Sequence, residues 1–218
     1  MPGPPRRGAR RRSDRAAAKP AGQRHHGDLR RALVLSGVEL LEEEGVEALT
    51  IRALARRLGV SHAAPGHHFP EKVALLAAVA AEGFRRFGSA LESAAVRAPA
   101  PAGRMKAIGI AYVRFALDHP ATFRVMFGRE LAGCREQPAE LQEASAAAYA
   151  VLQRTSEEVA GAPGAELQAF AGWALVHGAA VLYLDGALRR GLPPGRAGRA
   201  RFEQLVEAVM TPPRAARR

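Results

Sequence analysis

Apolar residues recur at gaps of three and four along most of the chain, and no segment sustains the alternation of a half-buried strand. The spacing predicts an all-α chain of about nine helices. A first helix starts near Gly27 and carries a stripe of Leu29, Leu33, Gly37, Leu40 and Leu41 before Gly45 ends it. Thr50 is placed to cap a second helix, whose Ile51, Leu54, Ala55 and Leu58 fall on one face. Gly59 suits a left-handed helix end, Val60 plugs the turn, and Ser61 is placed to cap a short third helix that Pro70 stops. Glu71 and Lys72 open a long fourth helix through Leu75, Leu76, Val79, Phe84, Phe87 and Leu91. The segment APAPAG (98–103) then reads as a loop and the best internal boundary. Further helices are expected over 104–119, from Pro120 through ATFRVMFGREL, over 139–160 after a loop at Gly133–Pro138, over an apolar 165–189, and over 197–210.

The second and third helices form a helix-turn-helix layout, in which the second member of the pair lies in a DNA major groove. Side chains near the start of that member meet base edges. Here those are His62, Ala63 and Ala64, with His67 further along. Thr50, Ser61, His68 and Lys72 are better placed for phosphates, and a capping hydroxyl at Thr50 or Ser61 is compatible with that role. Arg52, Arg56 and Arg57 on the preceding helix either touch the phosphate backbone or form a solvated face.

Composition sharpens this picture. The 218 residues are 48% apolar, enough for a sizeable core, and the formal net charge is +11. That charge sits at the ends: residues 1–31 carry +8 and residues 189–218 carry +6, leaving −3 between them. Within the body, residues 50–72 are locally +3, which suits a polyanion. Residues 1–26 and 212–218 read as disordered basic tails. The single cysteine, Cys134, excludes an internal disulfide and fits a cytoplasmic location. The basic start is not followed by the apolar core of a secretory signal, and no unbroken run of 18 apolar residues suggests a membrane partner. His25, His26, His62, His67 and His68 lack the three- or four-residue spacing that puts metal ligands on one helix face, so no metal is expected. No nucleophile sits in a strained turn and no oxyanion loop is visible, so neither an enzyme nor a cofactor is expected.

The run LTIRALARRLGVSHAAPGHHFPEKVALLAAVA resembles the DNA-binding region of the TetR family of bacterial transcriptional repressors. The resemblance covers about residues 28–90. It is carried by Leu49-Thr50, Ala53-Leu54-Ala55, Leu58-Gly59-Val60-Ser61, His68-Phe69-Pro70, Lys72 and Leu75-Leu76. The C-terminal part is similar to a TetR subgroup with a Trp-x-x-x-His-Gly motif, here Trp173, His177 and Gly178, and HPATFRVMF (119–127) fits the same subgroup.

The resemblance implies a homodimer that binds double-stranded DNA at a pseudo-palindromic operator and is released by a small apolar or aromatic effector. It divides the chain into a DNA-binding domain (27–72), a connecting helix (73–97) and a ligand-binding and dimerisation domain (98–211). The candidate ligand wall is Phe115, Phe123, Met126, Phe127, Trp173, His177 and Tyr183, any of which also suits plain core. The candidate dimer face is Gly172, Leu175, Ala179, Leu182, Phe202, Leu205, Val206 and Val209, with burial inside one protomer as the alternative. One position departs from the family pattern: Gly66 stands where members usually carry a tyrosine that grips the DNA backbone. Together with Pro65 it opens an alternative, a helical small-molecule binding protein with weakened DNA recognition.

Overall fold

A computed structural model describes residues 25–129, 131 and 138–211. The two basic tails and the loop expected at Gly133–Pro138 lie almost wholly outside the described residues, as does Cys134. Among those described, eight α-helices and two short 3₁₀ segments are present and no strand. The helices are α1 (His25–Glu44), α2 (Ile51–Arg57), α3 (Lys72–Arg97), α4 (Pro101–Asp118), α5 (Pro120–Phe127), α6 (Ala139–Ala160), α7 (Ala162–Leu184) and α8 (Gly195–Met210).

The end signals act where the sequence places them. Gly45 and Gly59 take φ of 86° and 65°, the left-handed region that a side chain would disfavour. Thr50 caps α2, its Oγ1 accepting from the Ala53 N–H at 3.1 Å. Three boundaries differ from the pattern. Pro101 occupies the first turn of α4, where its missing N–H costs nothing, so the expected loop shrinks to 98–100. The apolar helix runs Ala162–Leu184 instead of 165–189, with a separate 3₁₀ turn at Leu188–Gly191.

The third difference is the expected third helix. Only a 3₁₀ turn, Ala64–His67, forms there, and Ser61 does not cap it: the cap position is Ala63, with no side-chain bond. Pro65 explains this, because it has no N–H to return to the Ser61 carbonyl in α-helical fashion. The backbone instead closes three-residue steps, Ala64 N–H to Ser61 O and Gly66 N–H to Ala63 O, each at 3.2 Å. Pro65 and Phe69 are buried and pin the turn to the core.

The head formed by α1, α2 and this turn closes over the start of α3. Its core is Leu33, Leu41, Leu49, Leu54, Leu75 and Val79, all fully buried. α3 continues past the head and packs along α4 and α6, with α5 and α7 completing the C-terminal bundle. Two glycines of α3 let its neighbours approach closely. A Cβ on Gly88 would lie 3.3 Å from the Ala148 backbone of α6, and one on Gly83 would lie 2.7 Å from Thr122 of α5.

Candidate DNA-reading head and ligand cavity

The head presents one polar rim. Thr50, Arg52, Ser61, His62, Ala63, His67 and Lys72 are exposed, while Ala64 and His68 are half-buried. The turn therefore offers His62, Ala63 and His67 outward, and Ala64 and His68 face partly into the fold. Two candidate cations are committed to the scaffold. Lys72 Nζ donates to the Val46 carbonyl at 3.0 Å, and Arg57 pairs with Glu43 at 2.6 Å and Glu39 at 3.5 Å. Arg52 and Arg56, both exposed, point from the same short helix. Gly66 is exposed, and a Cβ built on it meets nothing within 4 Å.

The C-terminal bundle holds a half-open cavity of about 450 Å³. Its walls are Phe84, Phe87 and Leu91 from α3, Met105, Ile108, Gly109 and Tyr112 from α4, and Met126 and Phe127 from α5. Leu141, Ser145, Tyr149 and Leu152 of α6, Gly172, Trp173 and Val176 of α7, and Met210 of α8 close it. No charged side chain lines it among the described residues. The polar tips are the Tyr112, Ser145 and Tyr149 hydroxyls and the Trp173 indole.

Of the seven residues expected to form the wall, the structure places Met126, Phe127 and Trp173 on it. The other four are elsewhere. Phe115 is buried behind Phe87, ring centroids 5.2 Å apart, and Phe123 is buried between Tyr112 and Phe127. Tyr183 stacks on Phe202 at 4.4 Å, at the far end of α7 from the cavity-lining Trp173. His177 stands one layer back, where its Nδ1 meets the Tyr112 hydroxyl at 2.8 Å.

Of this hydrogen-bonded pair, Tyr112 is thus at the wall and His177 is behind it. Its signal in the sequence was its position one turn after Ile108 on the helix that supplies the wall. Ser145 and Tyr149 were hidden in an alanine-rich helix whose small residues, Ala144 and Ala148, allow the tight approach to α3.

Burial pushes the Tyr112 phenol far above its ordinary value, with the Trp173 side chain acting in the opposite sense. Burial also lowers His177 from its ordinary value near 6.5. Both partners are neutral near pH 7, so a phenol O–H donating to Nδ1 leaves the imidazole proton on Nε2. Because His177 is harder to protonate folded than unfolded, the unfolded chain takes up its proton first. Its stabilising contribution is complete above about pH 6.5 and is lost as pH falls through that value toward the lower folded one. Thermal unfolding between about pH 7.5 and 5 is expected to show a smaller loss of Tm in His177→Gln than in the parent chain. Parallel curves would assign the acid sensitivity to another group.

The candidate dimer face also divides. Leu175, Leu182, Leu205 and Val209 are exposed, joined by Leu167 (73%) and Phe170 (64%), which periodicity alone did not single out. Phe202 and Val206 are buried in their own chain, Ala179 is packed against the core and Gly172 lines the cavity. α7 is long and apolar enough to cross a membrane by length and composition, with a mean hydropathy of 1.4. It packs on α4, α6 and α8, and its remaining face is bare.

A helical head with a short exposed turn, joined through one long helix to a bundle around an apolar cavity, is the arrangement of a helix-turn-helix DNA-binding protein with a separate C-terminal bundle. Comparison with known proteins specifies the family. Residues 33–79 match the profile described as bacterial regulatory proteins, tetR family, and residues 105–209 match a tetracyclin repressor-like C-terminal domain. The chain belongs to the TetR family.

A solved protein of unknown function from Rhodococcus sp. RHA1 is 35% identical, with a TM-score of 0.71 over 87% of this chain and 95% of that one. A TetR/AcrR-family transcriptional regulator from Thermobifida fusca shares the fold at 18% identity, with a TM-score of 0.61 over 86% of this chain and 99% of that one. The class C tetracycline repressor protein of Escherichia coli is 49% identical over 51 residues, a match spanning 23% of each chain.

Proposed function

We propose that this protein is a ligand-responsive DNA-binding regulator, acting as a repressor that a small uncharged effector releases from a pseudo-palindromic operator. The observation that carries the reading is the pairing of two features in one chain. One is an exposed reading rim at His62, Ala63 and His67 beside Arg52 and Arg56; the other is a large cavity without a charged wall residue. Burying an ion there without a partner would cost several kcal/mol, so the cavity selects neutral, apolar or aromatic molecules. The bare apolar strip on α7 and α8 is covered in this reading by a second copy, which gives two heads and hence two half-sites. In this assignment residues 27–72 read DNA, 73–97 connect, and 98–211 hold the ligand and the partner.

A mobility-shift assay at two salt concentrations tests the proposal. Specific binding is expected to survive competitor DNA, whereas attraction through the Arg-rich ends alone collapses as salt rises. A second reading, a small-molecule binder with weak DNA recognition, is favoured by one observation: the reading segment is a single 3₁₀ turn carrying Pro65 and Gly66. Complete loss of the shifted band in competitor would select it.

Gly66 also yields a direct test. Open space surrounds its Cβ position and no left-handed φ is required there, so a larger side chain fits without strain. Gly66→Tyr is expected to tighten DNA binding by about 1 kcal/mol, roughly fivefold, through one added backbone hydrogen bond. Equal or weaker binding would show that this head grips the duplex by other groups.

A further inference from the structure

The helix α5 starts without a cap of its own. His119 makes no side-chain capping bond, and Pro120 has no N–H to offer. The two first-turn donors that remain, Ala121 N–H and Thr122 N–H, both go to one carboxylate: Glu42 of α1 accepts them at 3.2 and 2.8 Å. The positive end of a helix favours such a charge, and the two-oxygen grip fixes α5 against α1 in position and direction.

Both ends of this joint lead somewhere. One turn beyond the clamp, α5 contributes Met126 and Phe127 to the cavity wall. Thr122 and Met126 share a face and press together on Gly83, where a Cβ would lie 2.7 Å from Thr122 Cγ2 and 2.8 Å from Met126 Sδ. A side chain at position 83 would have no room there, so α5 sits close against α3 at Met126. On the other side, Glu43 follows Glu42 in the last turn of α1 and holds Arg57 of α2 at 2.6 Å. The helix α2 packs against the reading turn, which follows it after residues 58–63.

We propose that Glu42 is the positioning residue through which the cavity wall acts on the DNA-reading head. The inference rests on the proposed roles of cavity and head, and it adds the contact that couples them. A ligand displacing Met126 or Phe127 tilts α5; the clamp carries that tilt into α1, and the Glu43–Arg57 pair carries it into α2. Without the carboxylate, cavity and head remain folded and lose most of their coupling.

The test is a double-variant cycle on the full chain, read by amide hydrogen exchange. Glu42→Gln is expected to speed exchange at Ala121 and Thr122 roughly tenfold or more. Met126→Ala trims the cavity wall and needs no ligand. It is expected to change exchange in α1 and α2 roughly threefold or more in the parent chain, and to leave it unchanged in the Glu42→Gln background. An equal effect in both backgrounds overturns the proposal. If Glu42→Gln fails to fold, Glu42→Asp keeps the charge while shortening its reach, and undiminished transmission in that variant overturns the proposal equally.

A ligand arm uses N-phenyl-1-naphthylamine, an uncharged aromatic fluorophore, with quenching of Trp173 as a second signal; Trp173 is the single tryptophan and lines the cavity. Affinity is expected to be the same in parent and Glu42→Gln, while the change in head exchange disappears in the variant. A change that persists in the variant contradicts the role of Glu42. Failure of the fluorophore to bind counts against the effector reading of the cavity, and the Met126→Ala cycle still decides the role of Glu42.

Discussion

Replacing Leu182 and Val209 by Glu is expected to convert the protein to a monomer and to abolish specific DNA binding. The two side chains are 49% and 64% exposed on α7 and α8, within the apolar strip that also carries Leu167, Phe170, Leu175 and Leu205. An unpaired carboxylate buried against that strip in a second copy costs several kcal/mol, and a two-fold interface would suffer the penalty twice over. The effect on DNA is larger than on either half-site alone. Two linked heads bind with an effective concentration in the millimolar range for the second contact, and a lone head loses that gain of about a hundredfold or more. Light scattering together with a mobility-shift assay measures both. A double variant that remains dimeric, or a monomer that still binds its site with full affinity, would contradict this role for the strip. A second copy seated on this strip would also account for the high hydropathy of α7: a helix apolar on every side needs neighbours all round, and its own chain covers only part of it.

The second large effect is expected from Leu54→Ala. Leu54 is fully buried in the head core, beside Leu33, Leu41, Leu49, Leu75 and Val79. Truncation at such a site costs about 2–5 kcal/mol, a large share of the about 5–15 kcal/mol that stabilises a whole domain. DNA binding is expected to disappear at temperatures where the parent chain binds fully. The Trp173 emission should stay the same, because α7 packs on α4, α6 and α8 and not on the head. A coincident loss of both signals would show that head and bundle unfold as one unit.

Much of the architecture was legible because helix signals are local. The apolar stripe of Leu33, Leu40 and Leu41, the Thr50 cap, and the glycines at 45 and 59 each act within a few residues of themselves. The shortened reading helix was also a local matter. Ser61 as a cap and Pro70 as a stop argued for a helix, but the missing N–H of Pro65 outweighed them. The cavity was harder to read because it belongs to no single element. Tyr112, Ser145 and Tyr149 meet only where α4 and α6 converge. The spacing on α8 marked Phe202, Leu205, Val206 and Val209 as apolar without saying which of its sides meets its own chain. Tyr183 takes Phe202 into the protomer core and leaves Leu205 and Val209 outside. Glu42 carried no pattern at all, since its partners are backbone amides 79 and 80 positions away.

The most direct measurement is selection of duplexes from a random library by the purified protein, followed by footprinting of the winner in competitor DNA. The predicted result is an inverted repeat whose two half-sites are protected together, and whose protection is lost when Leu54 is replaced by Ala or when Leu182 and Val209 are replaced by Glu. Enrichment of no common sequence, or of a single half-site bound equally well by the monomeric variant, would contradict a two-headed DNA reader.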